Sequence, residues 1–201
     1  MMSHTHLYIG MTAALAVSTA TTPEMCAVAL AGGALGGVLA DIDTLRDDYQ
    51  HDALFGQIMA WSLMLVLGLL DIFWFGKNIY QFMLENAITS IIGCVALIIL
   101  CILGYKSQHR TFTHSALALL LFSASAYAIY PHLGIACLCG YLSHLILDVL
   151  NKKEIPLLFP MKKGVCLKLC YANKAGNTIM MCVGFAASFV LLFYKLSLIV
   201  Q

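Results

Sequence analysis

The sequence predicts an all-α integral membrane protein, with about six transmembrane or membrane-embedded helices and a polar site on the cytoplasmic side. Of its 201 residues, 61% are hydrophobic and only 10% are charged, against about 45–50% and about 25% in a typical soluble chain. Because lipid offers the backbone no hydrogen bonds, a chain this apolar is expected to be helical. We expect residues 1–201 to form a single membrane-embedded helical domain.

Apolar runs separated by short polar stretches define the expected helices. The runs 7–20 and 25–40 are shorter than the roughly 20 residues needed to span a bilayer, and the second is rich in glycine. Small residues at four-residue spacing let helix backbones approach closely, so we expect these runs to form a helical hairpin packed tightly against the other helices. A short polar turn is expected over 76–85. The remaining runs cover 53–75, 86–104, 115–130, 132–150 and 177–200.

Basic residues set the expected orientation. The loop 151–176 contains six lysines, and by the positive-inside rule such a loop faces the cytoplasm. Alternation of the spans then puts the N-terminus and the segments 41–52 and 105–114 on the same side. Segments that are far apart in the sequence, and that carry histidine and aspartate, are therefore expected to converge on one layer of the membrane.

The most polar of these segments runs from His109 to Ser115, between two membrane-length apolar runs. Its hydroxyl groups have an ordinary explanation, because one of them suits the N-cap of the following helix. The histidines have no comparable structural role, and we interpret His109 and His114 as metal ligands. Arg110 is permanently charged, and its planar fork suits phosphate or carboxylate. A role as a topology signal is an equally weighted alternative for Arg110.

His144 and Asp148 lie four residues apart within an apolar run, so both face the same side of a helix. Ionisable groups inside membrane helices are costly and usually mark a functional interior. An interhelical hydrogen-bonded pair is one interpretation of His144 and Asp148. A metal site is favoured, because the spacing presents an imidazole nitrogen and a carboxylate to a common centre.

Two carboxylates follow the glycine-rich run directly. Asp41 and Asp43 would repel each other unless a cation lies between them or one of them is protonated. We expect at least one of them to bind metal, with the other as a second ligand, a bridge or a general base. A solvated helix end is the alternative. His6, just before the first apolar run, could complete the site.

This mixed set of nitrogen and oxygen donors suits zinc, manganese or iron, as one or two ions. Such a metal lowers the pKa of bound water and polarises a phosphoryl or carbonyl oxygen. The sequence contains no nucleophile elbow, P-loop or dinucleotide fingerprint, which argues against serine hydrolase, nucleotide hydrolase and Rossmann chemistry. The expected metal ligands are His6, Asp41, Asp43, His109, His114, His144 and Asp148. The expected catalytic residues are Asp43, Arg110 and His114.

Several motifs occur in a familiar order, and two further segments follow them in the tail. They are Thr5-His6, Ala40-Asp41-Ile42-Asp43, His109-Arg110, Thr113-His114-Ser115, His144 to Asp148 with Asn151, Pro156 to Pro160, and Leu167 to Tyr171. With these motifs, nearly the whole chain resembles the YdjM-type family of LexA-regulated, bacterial inner-membrane proteins. Ala40 departs from the pattern, since many members have proline before Asp-x-Asp. The resemblance implies a multi-pass protein of the bacterial inner membrane, a link to the SOS response and a metal-dependent hydrolase activity.

The pattern of histidine and aspartate is also similar, more loosely, to that of zinc-dependent phospholipase C enzymes, which favours phosphoester hydrolysis. Zinc is the first expected metal, with manganese or iron as alternatives. We therefore expect a metal-activated water to attack a phosphoester or ester bond, of a lipid in the first instance, at the cytoplasmic interface. The expected partners are the bilayer and a lipid or phosphoester substrate, with no nucleic acid. Two alternatives use the same cluster: an ion or small-solute transporter or channel, and a stress-induced membrane protein without catalysis.

Overall fold

A computed structural model of the protein describes residues 2–46, 50–161, 163–169 and 175–200. The described chain confirms the expected all-helical fold. Its α-helices are α1 (Ser3–Val17), α2 (Pro23–Leu39), α3 (Gln50–Phe73), α4 (Asn78–Glu85), α5 (Ala87–Lys106), α6 (Ala116–Ile129), α7 (Pro131–Leu150) and α8 (Ala175–Val200). Short 3₁₀ helices at Ala40–Arg46 and Phe112–His114 precede α3 and α6. Of the tail and its lysine-rich loop, Lys162, Cys170, Tyr171 and Lys174 lie outside the described residues.

Five segments of the described chain are long and apolar enough to cross a bilayer, judged by length and composition. The first is largely enclosed by the other helices, whereas α3, α5 and α8 expose broad apolar faces. Helix α6 is apolar but has only 14 residues. The five segments are Pro23–Leu45, Gln50–Phe73, Ala87–Lys106, Pro131–Leu150 and Ala175–Val200.

Helix α2 is the central helix, packed between α1 and α7. Glycine permits the close approach: a methyl group added at Gly36 would lie 2.1 Å from the carbonyl oxygen of Cys137, and one added at Gly37 would lie 2.4 Å from that of His6. The expected hairpin of the first two helices is therefore confirmed. Its close packing brings the end of α2 against the start of α1 and the second half of α7.

Residues 76–85 differ from the expected polar turn, because most of them form helix α4. The carboxylate of Asp71 accepts hydrogen bonds from the backbone N–H groups of Ile79, at 3.0 Å, and Tyr80, at 2.9 Å. These bonds satisfy donors that the first turn of a helix leaves without partners. A cap that comes from the preceding helix leaves no local sequence signal, which explains the difference.

The helices place two polar groups of residues at opposite ends of the bundle. We call the end that carries the start of α1 and the C-terminus of α7 the site end, and the end that carries α4 the α4 end. Between them lies an apolar core that includes Leu35, Leu39, Phe122 and Tyr141. Because α1, α6 and α8 start at the site end while α2, α5 and α7 finish there, segments far apart in sequence meet in one layer.

Candidate metal centre

Six ionisable side chains are buried together at the site end, each at most 5% exposed. His109 and Arg110 border this group and are partly exposed. The structure thus brings together all the residues that the sequence predicts to form the site. The six buried residues, which we call the His/Asp cluster, are His6, Asp41, Asp43, His114, His144 and Asp148.

Four potential ligand atoms of the His/Asp cluster converge on one point. Nε2 of His114 lies 3.4 Å from Nε2 of His144 and 3.3 Å from Oδ2 of Asp148. Oδ1 of Asp41 lies 3.8 Å from each of the two Nε2 atoms, and Oδ2 of Asp148 lies 3.7 Å from that of His144. A tetrahedral site with metal–ligand bonds of about 2.0–2.1 Å has ligand–ligand edges of about 3.3–3.4 Å. The two shortest separations match such an edge and the three of 3.7–3.8 Å are longer, so the four atoms would move slightly inward to bind a single ion.

Hydrogen bonds at the other ring nitrogens define the tautomers of the two histidines. Nδ1 of His144 lies 2.8 Å from the carbonyl oxygen of Gly37, which can only accept a hydrogen bond. Nδ1 of His114 lies 3.1 Å from the hydroxyl oxygen of Thr113, whose own proton goes to Asp43, and 3.3 Å from Oδ2 of Asp43. In their neutral forms both rings therefore carry the proton on Nδ1 and present the lone pair of Nε2 to the centre. A carbonyl or carboxylate behind the ring is the usual support of a metal-binding histidine.

A second proton on the ring of His114 would supply positive charge to the His/Asp cluster in place of a metal ion. Burial alone would lower the pKa of His114, but hydrogen bonds to Asp148 and Asp43 outweigh burial and raise it to about 10. A protonated His114 would donate from both ring nitrogens to these two carboxylates. A divalent cation would displace that proton, because histidine ligates metal only in its deprotonated form.

Asp43 has a different environment from Asp41. Its Oδ2 accepts hydrogen bonds from the backbone N–H of Arg110, at 3.0 Å, and from the hydroxyl of Thr113, at 2.6 Å. Its Oδ1 lies 3.0 Å from Nδ1 of His109. Nε of Arg110 donates to Nε2 of His109 at 3.3 Å, so a neutral His109 donates from Nδ1 to Asp43. Such a donor-rich environment is typical of a carboxylate that orients a ligand.

His6 contributes two buried ring nitrogens. Nε2 of His6 lies 3.4 Å from Oδ1 of Asp148, and its ring stacks on that of His144 with centroids 3.8 Å apart. Within the described residues neither ring nitrogen of His6 has a hydrogen-bond partner. Because a neutral ring carries a proton on one nitrogen, the other is available as a ligand. Three groups of side chains could hold an ion, each with its ligand atoms within 4.8 Å of one another: His6, His144 and Asp148; Asp41, His114 and His144; Asp43, His109 and His114.

Several supporting residues were not predicted from the sequence. The hydroxyl of Ser3 donates to Oδ2 of Asp41, and the backbone N–H of Ser3 donates to Asp52 at 2.5 Å. Tyr141 donates from its hydroxyl to the carbonyl oxygen of Thr113 at 2.5 Å. The polar start of α1 is the one available signal for Ser3, whereas a backbone carbonyl such as that of Gly37 has no sequence signature.

Arg110 connects the His/Asp cluster to the surface. Its Nη1 donates to the carbonyl oxygen of Lys153 at 3.0 Å, and its Nη2 lies 3.8 Å from Oδ2 of Asp148. The backbone φ of Arg110 is 60°, a left-handed conformation that costs about 1–3 kcal/mol outside glycine and is often found at functional sites. The helix cap expected from this motif is supplied by Ser115, whose hydroxyl accepts from the N–H of Ala118 at 3.2 Å.

Comparison with known proteins identifies the family. The family model described as YdjM inner membrane protein matches residues 1–200. "Uncharacterized protein YvsG" of Bacillus subtilis (strain 168) is 34% identical over 90 residues, which are 44% of this chain and 56% of that protein. The similarity thus covers little more than half the length of this curated relative. No solved structure matches the chain. Because the family model covers nearly all of its residues, the chain belongs to the YdjM inner membrane protein family.

Proposed function

We propose that this multi-pass inner-membrane protein is a metal-dependent hydrolase. Its ion would be held by His114, His144, Asp41 and Asp148, with His6 as a further ligand. One observation carries the proposal: two imidazole nitrogens with lone pairs and two carboxylate oxygens converge in a buried site. Burying these charges is costly unless a cation balances them. The nitrogen and oxygen donors suit zinc, manganese or iron, and we propose zinc first.

Besides the ligands, Asp43 and Arg110 have supporting roles in the proposed reaction. When bound, a divalent ion that takes up a water molecule in addition to these ligands would act as a Lewis acid and lower the pKa of that water. Asp43 holds the proton on Nδ1 of His114, which keeps Nε2 available as a ligand. Arg110, with Nη2 at 3.8 Å from Asp148, binds an anionic oxygen of the substrate and stabilises the negative charge that develops on it.

A second ion at Asp43, His109 and His114 is the alternative arrangement of the same site. We favour one ion, because the oxygens of Asp43 and the ring nitrogens of His109 already lie within hydrogen-bonding distance of other groups. The ratio of metal to protein distinguishes the two arrangements. A ratio of one supports Asp43 as a positioning residue, whereas a ratio of two would make Asp43 and His109 ligands.

The proposed substrate is a lipid with a phosphoester or ester bond, at the cytoplasmic face. The guanidinium of Arg110 favours the phosphoester, because its fork matches phosphate oxygens. Lysines 152, 153, 163 and 168 all follow α7 at the site end. The positive-inside rule supports a cytoplasmic location for this end, and each lysine near anionic headgroups contributes on the order of 1 kcal/mol to surface attraction.

Transport of an ion or small solute is the main alternative use of the His/Asp cluster. A transport path needs polar groups through the depth of the bundle. Among the described residues, the buried histidines and carboxylates lie at the two ends, and apolar side chains such as Leu35 and Phe122 fill the space between them. A site at one end of the bundle favours hydrolysis.

The test compares His144→Ala with His132→Ala, a matched loss of an exposed histidine at the α4 end. After purification without chelators, wild type and His132→Ala should hold about one ion per chain. His144→Ala should hold less than about a tenth of that amount. A panel of lipid phosphoesters and esters should be hydrolysed by the wild type but not by His144→Ala.

Two results would contradict the proposal. Stoichiometric metal with no turnover across the panel would refute hydrolysis and favour transport or a non-catalytic role. A wild-type protein that binds no metal would refute the metal centre itself.

A further inference from the structure

A pocket of about 630 Å³ opens beside the His/Asp cluster. It lies between the polar segment that precedes α6 and the loop that follows α7. Both polar and apolar side chains line it, so it differs from a purely apolar groove between membrane helices. Its walls include Gln108, Arg110 and Phe112 on one side and Glu154, Phe159 and Met161 on the other.

Arg110 belongs to both the pocket and the proposed metal centre. Arg110 lines the pocket, and its guanidinium approaches Asp148, with Nη2 at 3.8 Å from Oδ2. The bond from Nη1 to the carbonyl oxygen of Lys153 fixes the side chain against the opposite wall. An anion bound to Arg110 inside the pocket would therefore lie next to the ligands of the proposed ion.

The loop that forms the second wall has an apolar tip. Leu158 is 65% exposed and Met161 is 59% exposed. The base of the tip is anchored, because the N–H of Ala116 donates to the carbonyl oxygen of Leu157 at 2.9 Å. Lys153 and Lys163 flank this tip in the sequence and are exposed. Exposed apolar groups next to basic residues are typical of segments that lie in a membrane interface.

We infer that this pocket binds the phosphate-bearing headgroup of an amphiphile that enters from the bilayer. The inference rests on the proposed function, because it assigns a binding pocket to the lipid substrate proposed for the same site. Arg110 binds the phosphate, while Phe112 and Phe159, with ring centroids 5.9 Å apart, contact the first part of the apolar chain. Glu154 is the one carboxylate that lines the pocket among the described residues, so it disfavours headgroups with additional negative charge.

The test measures binding of dioctanoyl phosphatidylglycerol to the metal-loaded full chain in a non-ionic detergent. Glycerol phosphate serves as the soluble phosphate probe, and dioctanoylglycerol serves as the probe without phosphate. The lipid should bind at least about tenfold more tightly than either probe, because only the lipid makes both the charged and the apolar contacts.

Two pairs of variants locate the binding site. Arg110→Gln should weaken lipid binding by about tenfold or more, whereas Lys77→Gln, which removes a positive charge at the α4 end, should change it less than about twofold. Arg110→Lys should give an intermediate affinity, because it keeps the charge and loses the fork.

Phe159→Ser should weaken binding of the lipid but not of glycerol phosphate. Leu169→Ser, an exposed apolar residue outside the pocket, is its control.

Several outcomes would overturn the inference. If glycerol phosphate bound as tightly as the lipid, the pocket would recognise a soluble phosphate ester and not an amphiphile. If dioctanoylglycerol bound as tightly as the lipid, the pocket would not recognise phosphate. Equal effects of Arg110→Gln and Lys77→Gln, with wild-type metal content in both, would place the lipid elsewhere. Binding needs no turnover, so a wild type that binds the lipid at Arg110 without hydrolysing any substrate would refute the proposed function and support this inference.

Discussion

Both ends of the bundle bury carboxylates, but with different partners. At the α4 end, Asp71 is 2% exposed and Glu24 is 7% exposed. Backbone N–H groups of α4 donate to Asp71, and Nδ2 of Asn78 donates to Glu24 at 2.6 Å. These contacts join α3 and α4 to the start of α2. These hydrogen bonds give both acids a structural role.

At the site end the carboxylates face imidazole nitrogens. Oxygens of Asp41 and Asp148 lie 3.3–3.8 Å from Nε2 of His114 and His144, and those nitrogens carry lone pairs in the neutral rings. The comparison shows that burial of an acid does not by itself indicate a functional site. What separates the two ends is the chemical nature of the groups that face the acid.

The largest expected effect follows from paired substitutions of one acid at each end. Asp148→Asn should lower metal affinity by more than about a hundredfold, because it removes a charged ligand. Asp71→Asn should keep the metal and cost about 1–3 kcal/mol of stability, since it weakens the cap of α4. Metal content and thermal unfolding of the two variants provide the measurement. Equal metal content in the two variants would contradict the proposed difference between the site end and the α4 end.

The sequence predicted the clearest part of this site. His144 and Asp148 share a helix face by their spacing alone, and the alternation of apolar runs placed them in the same layer as Asp41 and His114. The different environments of Asp41 and Asp43 could not be predicted in this way. In the 3₁₀ helix that carries them, residues two apart point in different directions, so Asp41 faces the centre and Asp43 faces Arg110.

A second expected effect tests the positioning role of Asp43. Asp43→Asn should weaken metal binding by about 10–100-fold, the usual cost of losing a carboxylate that orients a ligand. Glu24→Gln, an acid-to-amide change at the α4 end, is the matched control and should leave the affinity unchanged. A titration of metal into each purified variant measures this. Loss of one of two ions in Asp43→Asn would instead identify Asp43 as a ligand.

Metal should stabilise the protein only through the site end. At a free concentration of a hundred times Kd, a bound ion stabilises the folded state by about 2.7 kcal/mol. Wild type and Asp71→Asn should both gain this stability, and Asp148→Asn should not. Thermal unfolding with and without added metal gives the comparison. A gain in Asp148→Asn equal to that of the wild type would place the ion elsewhere.

The smallest expected effect concerns the packing that presents the ligands. Gly37→Ala should cost about 1–3 kcal/mol, because the new methyl group would lie 2.4 Å from the carbonyl oxygen of His6. It should also weaken metal binding, since the carbonyl of Gly37 supports His144. Gly68→Ala has open space around the new methyl group and should be neutral or stabilising by about 0.5–1 kcal/mol. Unfolding and metal titration of both variants measure the difference, and equal behaviour of the two would contradict it.

The supporting contacts mark the limit of prediction from the sequence. Glycine at position 37 indicated close helix packing, but its carbonyl bond to His144 depends on the three-dimensional arrangement of α2 and α7. Ser3 likewise reaches Asp41 only because α1 begins beside the end of α2. The cap of α4 by Asp71 has the same origin. Contacts of this kind arise from tertiary packing and leave no periodic pattern in the chain.

The most direct test of the central claim is X-ray absorption spectroscopy of the metal bound to the purified full chain. We expect nitrogen and oxygen neighbours only, with outer-shell scattering from at least two imidazole rings, those of His114 and His144. The chain contains eight cysteines, and sulfur neighbours in the spectrum would reveal a thiolate site. Sulfur neighbours, or oxygen neighbours without imidazole scattering, would contradict a metal centre built from the His/Asp cluster.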